Sequence, residues 1–395
     1  MHRLLTALGM PQHRFASIHV VGTNGKSSVS RMIAALLDAH GVRSGAYLSP
    51  HVGRWADRVM AGGRPIDDDV FEAAVASTAD AAAAVNGSLD EGDEVTQFEV
   101  ATAAAFLALA KERVGCAVVE AGLGGRLDAT NVIPSRITVL TSVGLDHTEW
   151  LGETEEEIAA EKLAVLRDHS ILALGQVSPA VRRLAEDVTR QRGAELIAAP
   201  TEPDAEGDLA LAGPFQRRNF ALAETAARAF LGDLDPTRTA AVAAALELPG
   251  RLEQVAEDPP CFIDAAHNPP AAAALGEALE EIAAGRPVVA CVAMLADKDA
   301  DGFLGSLVPA LAAAVCTELP AEALRSAARP GAATSAAADL AAVARRHGID
   351  ARSDPDPGRA LAECRRLATE RRGIAVATGS NYLLDAATEA WARRR

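Results

Sequence analysis

The fold prediction rests on one segment near the start of the chain, Gly22-Thr23-Asn24-Gly25-Lys26-Ser27-Ser28. An apolar run over residues 18–21 precedes it, and apolar residues recur at helical spacing after it, from Val29 to Leu37. A strand, a glycine loop and a helix in that order are the context that a phosphate-binding loop requires. The glycines permit a tight turn, and the first amides of the helix favour an anionic ligand. We therefore predict that this loop binds the phosphates of a nucleotide.

The polar side chains of the loop have distinct predicted tasks. Lys26 would reach the outer phosphates as a point charge. The hydroxyl of Ser27 or Ser28 would lie near a magnesium ion. An ordinary strand-to-helix turn with an exposed lysine is the alternative, and the residue types in this context favour phosphate binding over it. Val20 stands where the general motif has glycine, so the loop is a variant.

Composition limits the classes of partner. The chain has 395 residues, enough for two or three domains, and a formal net charge of −16. That charge argues against nucleic acid, whose phosphates need a basic surface. No apolar run is long enough to span a membrane, and the N-terminus lacks a signal pattern. The five cysteines have no metal-like spacing, which is typical of free thiols in a reducing compartment. We expect a cytoplasmic protein with small-molecule substrates.

Strand and helix patterns alternate along the chain, which predicts an α/β protein. In the first part, strands are predicted at 44–48, 116–120, 137–143 and 171–174, and helices at 67–84, 97–112, 179–192 and 215–230. The pattern breaks at Leu248-Pro249-Gly250-Arg251, and a second alternation begins with a strand at 261–264. We predict two domains. Residues 1–247 form the first, with a mostly parallel sheet, and residues 248–395 form a smaller α/β, Rossmann-like one.

Polar residues follow the carboxyl ends of three predicted strands, where open α/β sheets place their ligands. Ser49-Pro50-His51 follows the first, Glu120 ends the second, and Asp146-His147-Thr148 follows the third. Ser49 would reach a metal, and a carboxylate beside a phosphate-binding loop is a natural magnesium ligand. The alternatives are an ordinary Ser-Pro turn and a buried core histidine at position 147.

Two further features carry open alternatives. The glycines of segment 122–131 allow close backbone approach to a ligand, or they mark a structural turn. Lys162 is one of only four lysines, with Lys26, Lys111 and Lys298, in a chain whose other basic residues are arginine. Such scarcity suggests that lysine is kept where arginine cannot replace it. The alternative is that Lys162 lies on a solvated helix face.

Nine motifs now occur in one order from about residue 15 to the C-terminus: GTNGKSSV, SPH, EAGLGGRLDATN, LDHTEWLG, AEK, LPGRLE, DAAHNP, ADKD and ATGSNYL. Together they resemble the folylpolyglutamate synthase and dihydrofolate synthase family, part of the Mur ligase superfamily of ATP-dependent amide ligases. The resemblance implies a P-loop domain of the Mur ligase central type over residues 1–247. It also implies a glutamate-ligase domain over residues 248–395.

The resemblance also implies the reaction. Members of the family use ATP and Mg²⁺ to phosphorylate a carboxylate, and the amine of L-glutamate then attacks the acyl phosphate. The substrate would be a reduced folate, or dihydropteroate for a bifunctional member, and the protein would be a monomer.

The implied site residues fall into four groups. Those for ATP are Thr23, Asn24, Gly25, Lys26, Ser27, Ser28, Asn219, Arg251 and Asp264. Those for magnesium are Ser49, Glu120 and His147, and those for the pterin-bearing substrate are Gln97, Phe98, Glu99, Leu127, Asp128 and Ala129. The catalytic set is Lys26, Lys162, which matches a lysine that is carbamylated in the superfamily, and His267.

Two departures from the family pattern keep alternatives open. Ser27 stands where the family commonly has glycine, although other Mur ligases carry a hydroxyl there. The segment before the first strand, which contributes to the dihydropteroate pocket in relatives, is short in this sequence. One alternative is therefore a paralogue that joins a different carboxylic acid to an amino acid. The other is a non-catalytic nucleotide- or folate-binding protein, against which Lys26, Glu120, His147 and Lys162 together argue.

Overall fold

The structure, a computed structural model, describes residues 1–49, 54–90, 92–202, 209–326 and 331–392. Pro50 and His51 of the predicted turn lie outside these residues. The chain divides into two compact units. The N-terminal unit comprises Met1–Ala210 with Arg217–Leu246, and the C-terminal unit comprises Leu211–Gln216 with Glu247–Arg395. The functional assignment of the two predicted domains stays a prediction.

The strands of the N-terminal unit form one mostly parallel sheet. Those described are β1 (Ala16–Val21), β2 (Ser44–Tyr47), β3 (Val59–Ala61), β4 (Arg64–Pro65), β5 (Cys116–Glu120), β6 (Ile137–Leu140), β7 (Ile171–Leu174) and β8 (Glu195–Ala198). Their spatial order is β4-β3-β2-β5-β1-β6-β7-β8. Only β3 and β4 run antiparallel to their neighbours among these strands. Strand β1 therefore lies between β5 and β6, and the carboxyl ends of all three meet at one edge of the sheet.

Helices connect these strands. They are α1 (His2–Ala7), α2 (Lys26–Ala39), α3 (Asp68–Asn86), α4 (Gln97–Lys111), α5 (Thr148–Leu151), α6 (Glu155–Leu163), α7 (Pro179–Arg192), α8 (Pro214–Leu231) and α9 (Pro236–Ala245). Local sequence explains several starts. Thr96 with Glu99 and Thr154 with Glu157 form capping boxes at α4 and α6. Ser178 caps α7, where proline occupies the first turn.

The C-terminal unit contains a second sheet. Its described strands are β9 (Arg251–Glu257), β10 (Pro260–Asp264), β11 (Val288–Val292), β12 (Ala313–Cys316), β13 (Asp350–Ser353) and β14 (Ile374–Thr378), in the order β13-β12-β11-β14-β10-β9. All pairs are parallel except β9 with β10. The later helices are α10 (Pro269–Ala283), α11 (Ala300–Leu307), α12 (Ala321–Ser326), α13 (Ala337–Arg346), α14 (Pro357–Glu370) and α15 (Leu384–Trp391). The predicted α/β class with mostly parallel sheets is confirmed.

Several elements differ from the sequence prediction. Strands β3 and β4 and helix α9 were not predicted. The edge strand β9 was not predicted, because it alternates polar and apolar residues and is only half buried. The strand predicted over 137–143 ends at Leu140. Thr141 and Ser142 instead leave the sheet and bond to the loop that follows β1.

All five cysteines are free and buried. Cys116 lies in the N-terminal unit, and the other four lie in the C-terminal unit. Burial raises the pKa of Cys116 to about 12 and that of Cys261 to about 11. In the described part of the chain, no helix is both long enough and apolar enough to cross a membrane.

Candidate active site

The loop after β1 is held in place by the segment that follows β6. The Thr23 amide donates to the Ser142 carbonyl oxygen at 2.8 Å, and the Asn24 amide donates to Ser142 Oγ at 3.1 Å. Thr141 Oγ1 donates to the Asn24 carbonyl oxygen at 2.6 Å. These bonds fix the backbone of the predicted phosphate-binding loop before α2 begins at Lys26.

A side chain at Gly25 would strain the backbone and displace the Asn219 side chain. Its φ is +82°, and a Cβ atom there would lie 2.8 Å from Asn219 Oδ1 on α8. L-residues rarely adopt that φ, so the backbone conformation favours glycine here. The contact also places Asn219, a predicted ATP residue far away in sequence, directly against the loop.

Two lysines donate to the same carbonyl group. Lys26 Nζ lies 3.1 Å from the Gly22 oxygen and 3.1 Å from the Thr23 oxygen. Lys162 Nζ lies 3.0 Å from the Gly22 oxygen. Lys162 is buried, so the alternative of a solvated helix face is wrong. Its burial, together with the charge of Lys26, lowers its pKa to about 7, although Asp146 and Asp128 act in the opposite direction.

Glu120, at the end of β5, accepts bonds from the segments that follow β1 and β2. Ser27 Oγ donates to Glu120 Oε1 at 3.1 Å, and the Ser49 amide donates to Glu120 Oε2 at 3.2 Å. Ser27, rather than the buried Ser28, is thus the loop hydroxyl beside the carboxylate. Carboxylate and hydroxyl oxygens suit Mg²⁺, which completes its coordination with water and phosphate oxygens. Among the described residues, no cluster of three or more His, Cys, Asp or Glu side chains could hold a metal, so such an ion would need those additional ligands.

His147 lies on the turn between β6 and α5. It has φ +52° and occupies the N-cap position of α5 without a side-chain capping bond. Its amide donates to Asp146 Oδ1 at 3.0 Å, and its Nε2 lies 3.7 Å from the same oxygen. Its side chain is 32% exposed, so it is not a buried core histidine. The sequence analysis assigned no role to Asp146. The structure shows that Asp146 contacts His147 and that its charge raises the pKa of Lys162. The sequence feature that could have identified Asp146 is its position beside His147 after a predicted strand.

The 122–131 loop is closed by one carboxylate. Asp128 Oδ2 accepts from the Leu123 amide at 2.9 Å, and Oδ1 accepts from the Thr130 amide at 2.9 Å. At Gly125 the loop approaches α6 so closely that a Cβ atom would lie 2.7 Å from the Glu161 carbonyl oxygen. The loop thereby covers the helix that carries Lys162.

The predicted folate residues occupy different environments. Phe98 packs against Gly122, because a Cβ atom on that glycine would lie 2.5 Å from the Phe98 ring. The Asp128 carboxylate contacts the same glycine, at 3.1 Å from that Cβ position. Leu127 is 93% exposed, whereas Ala129 is buried. Gln97 begins α4. Glu99 takes part in the capping box of α4 and also accepts a bond from the Met1 ammonium group at 2.6 Å.

In the C-terminal unit, three predicted residues lie close together in the fold. Arg251 pairs in register with Asp264 across β9 and β10. Asp264 is buried and accepts two backbone amide bonds, both at 2.8 Å. Burial raises its pKa, although Arg251 and the two amides oppose that effect. His267 Nδ1 donates to the Ala265 carbonyl oxygen at 2.9 Å, which orients the ring.

Comparison with known proteins identifies the relatives of the chain. Residues 250–380 match the family described as Mur ligase, glutamate ligase domain. The dihydrofolate synthase/folylpolyglutamate synthase of Mycobacterium tuberculosis is 34% identical over 352 residues, which cover 80% of this chain and 72% of that protein. The folylpolyglutamate synthase of Lacticaseibacillus casei is 32% identical over 344 residues, 80% of each chain.

A solved structure of one of these relatives has the same fold. The Mycobacterium tuberculosis folylpolyglutamate synthase complexed with ADP and AMPPCP superposes with a TM-score of 0.89 and 32% sequence identity. The match covers 99% of this chain and 94% of that one.

Proposed function

Since the chain belongs to the folylpolyglutamate synthase and dihydrofolate synthase family of Mur ligases, we propose that the arrangement around Gly22 activates a folate carboxylate with ATP. The chain is an ATP-dependent ligase that adds L-glutamate to a folate. The observation that carries the proposed mechanism is the convergence of Lys26 and Lys162 on one loop carbonyl, next to the loop serine that bonds Glu120.

The first step would be phosphoryl transfer. A carboxylate oxygen of the folate attacks the γ-phosphorus of ATP, a new O–P bond forms, and the bond to the β,γ-bridging oxygen breaks to release ADP. Lys26 would leave the Gly22 and Thr23 carbonyls and donate to the phosphate oxygens, where its charge offsets the charge of the transferring group. Magnesium, held by Glu120 with Ser49 and His147, would supply additional positive charge at the phosphates.

The second step would be amide formation. The amine of L-glutamate attacks the carbonyl carbon of the acyl phosphate and forms the C–N bond. The bond from that carbon to the phosphate oxygen breaks, inorganic phosphate leaves, and the amine nitrogen gives up one proton. We propose that His267 lines the site of this step, with its ring oriented by the bond to Ala265. The remaining proposed ATP contacts are Thr23, Asn24, Gly25, Ser27, Ser28, Asn219, Arg251 and Asp264, and the proposed folate contacts are Gln97, Phe98, Glu99, Leu127, Asp128 and Ala129.

We propose that Lys162 is carbamylated in the active enzyme. Carbon dioxide adds only to a neutral amine, with loss of one proton, and the product is an anion. The pKa of about 7 supports this, because a large fraction of Lys162 is then neutral near pH 7. Incubation with ¹³C-bicarbonate should give a carbamate carbon signal that is absent from Lys162→Met.

Two finer properties are also proposals. The double name of the Mycobacterium tuberculosis relative supports a second activity, addition of glutamate to dihydropteroate. We further propose that the protein acts as a monomer in the cytoplasm, a reducing compartment that suits its free buried thiols.

ADP release tests the proposed function directly. Tetrahydrofolate and dihydropteroate are supplied in separate reactions with ATP, Mg²⁺ and L-glutamate, and the products are identified by mass. Turnover with tetrahydrofolate supports the main activity, and turnover with both supports a bifunctional enzyme. If neither acid reacts while ATP still binds, the paralogue with a different acid is the better explanation.

A further inference from the structure

A buried polar chain connects β1 to the 122–131 loop. His19 Nε2 lies 2.8 Å from Thr130 Oγ1, and Thr130 Oγ1 lies 2.5 Å from Asp128 Oδ1. An ionised carboxylate only accepts hydrogen bonds, so the Thr130 hydroxyl donates to Asp128. That hydroxyl has a single proton, and its oxygen must therefore accept from an N–H of His19. The histidine proton is thereby assigned to Nε2.

Stability alone does not explain a histidine at this position. His19 is fully buried in the interior of β1, and burial, together with the charge of Arg167, lowers its pKa to about 3, so the ring is neutral. Its Nδ1 atom is buried and has no hydrogen-bond partner among the described residues. A buried unpaired nitrogen is costly, and an aliphatic side chain would avoid that cost. The bond to Thr130 is the feature that an aliphatic residue could not provide.

The polar chain from His19 ends at Asp128, the carboxylate that closes the 122–131 loop. Both oxygens of Asp128 are in use, because Oδ1 also accepts from the Thr130 amide and Oδ2 accepts from the Leu123 amide. A change in the Asp128 rotamer would release Leu123 and loosen the loop. The same loop carries Leu127, which is 93% exposed.

We propose that His19 and Thr130 are positioning residues for the folate-binding surface of the 122–131 loop, acting through Asp128. The proposal rests on the proposed function, because it assumes that this loop contacts folate. His19 lies three residues before Gly22, so β1 supports the folate loop through His19 and carries the phosphate-binding loop at its end.

Two matched pairs of variants test the proposal. Thr130→Val removes the hydroxyl without changing the shape of the side chain, and Thr130→Ser keeps the hydroxyl. His19→Leu removes the donor, and His19→Gln keeps an N–H near the position of Nε2. We expect Thr130→Val, which loses a hydrogen bond to a charged carboxylate, to raise the KM for tetrahydrofolate about tenfold. His19→Leu loses a bond between two neutral groups, so we expect a smaller rise, and in both variants the KM for ATP should change less than about twofold. Thr130→Ser and His19→Gln should stay close to wild type.

Thr138→Val is the control for loss of a buried hydroxyl. Thr138 lies beside His19 in the register of β1 and β6, and its hydroxyl is buried without a partner among the described residues. This variant should leave both KM values unchanged. An equal rise in the two KM values for Thr130→Val, or equal behaviour of Thr130→Val and Thr130→Ser, would overturn the proposal.

Hydrogen exchange provides a readout that needs no substrate. Amides of the 122–131 loop should exchange faster in Thr130→Val and His19→Leu than in wild type, but not in Thr138→Val. Unchanged exchange in all variants would refute the polar chain even if folate turnover is normal. If the loop amides exchange faster in Thr130→Val and His19→Leu but the wild type does not turn over folate, the polar chain is supported and the proposed function is rejected.

Discussion

Replacing Lys162 by methionine should stabilise the ligand-free protein in acid and abolish its activity. Burial holds the pKa of Lys162 at about 7, against 10.5 for an ordinary lysine. Between those two pH values the unfolded chain binds a proton that the folded protein does not, so the stability of the wild type rises with pH in that window. Below about pH 7 both states are protonated, and the folded protein carries the full cost of a buried charge.

The magnitude follows from the two pKa values. The pKa of Lys162 in the folded protein lies about 3.5 below that of an ordinary lysine, and one pKa unit corresponds to about 1.4 kcal/mol. The charged form of Lys162 therefore costs the folded protein about 5 kcal/mol at pH 6. Methionine removes that cost but also loses the bond to the Gly22 oxygen, which contributes about 1 kcal/mol. We expect a net gain of about 4 kcal/mol at pH 6. At pH 9.5 the residual cost is only about 1 kcal/mol, similar to the hydrogen bond that is lost, so the net gain should be close to zero.

Urea unfolding at pH 6 and pH 9.5 in bicarbonate-free buffer measures both values. Lys111→Met is the control, because Lys111 is an exposed lysine on α4 and its replacement should have no pH-dependent effect. A gain of equal size at the two pH values would refute the reasoning, as would a loss of stability at pH 6. ADP release by Lys162→Met should fall to background at either pH.

Three other substitutions follow from contacts in the site. Gly25→Ala should weaken ATP binding at least about tenfold in an equilibrium titration, since its Cβ would lie 2.8 Å from Asn219 Oδ1 at a φ of +82°; an unchanged Kd would contradict the loop geometry. Glu120→Gln should lower kcat about 100-fold and raise the Mg²⁺ concentration needed for half-maximal activity, because a charged oxygen ligand is lost; an unchanged Mg²⁺ titration would argue that the ion binds elsewhere. Gly125→Ala should destabilise the protein by about 2 kcal/mol in thermal unfolding, because its Cβ meets two backbone oxygens of α6; Gly87→Ala, with only ordinary contacts, should not.

Local sequence signals were sufficient for much of the N-terminal unit. The apolar run before Gly22, the glycines and the helical repeat after Lys26 act within a few residues of each other, so the predicted strand, loop and helix are confirmed. Strands β5 and β7 also have the predicted bounds, because buried parallel strands appear as continuous apolar runs. The residues of β9 alternate with partial burial, and this weaker pattern was missed.

The tertiary contacts of the site could not be derived in the same way. A Glu-Lys pair on a helix has the same pattern whether the helix face is solvated or covered. Lys162 is buried because segments far away in sequence cover it, including the loop whose Gly22 carbonyl accepts from its Nζ. The bonds to Glu120 at the end of β5 come from Ser27, at the start of the helix after β1, and from Ser49, after β2, so they depend on the strand order. The bond from His19 to Thr130 could not be predicted, because a single histidine in an apolar run does not reveal its hydrogen-bond partner.

The distribution of thiols gives each unit its own chemical reporter of opening. Cys116 is the cysteine of the N-terminal unit and lies in β5, near the middle of the sheet, whereas Cys261, Cys291, Cys316 and Cys364 lie in the C-terminal unit. A buried thiol with a raised pKa reacts with an alkylating reagent only after its surroundings open. Timed alkylation followed by peptide mass spectrometry would therefore record the opening rate of each unit separately in a single unmodified sample. Bound nucleotide should slow the alkylation of Cys116, because it would stabilise the sheet whose carboxyl edge carries the proposed phosphate-binding loop.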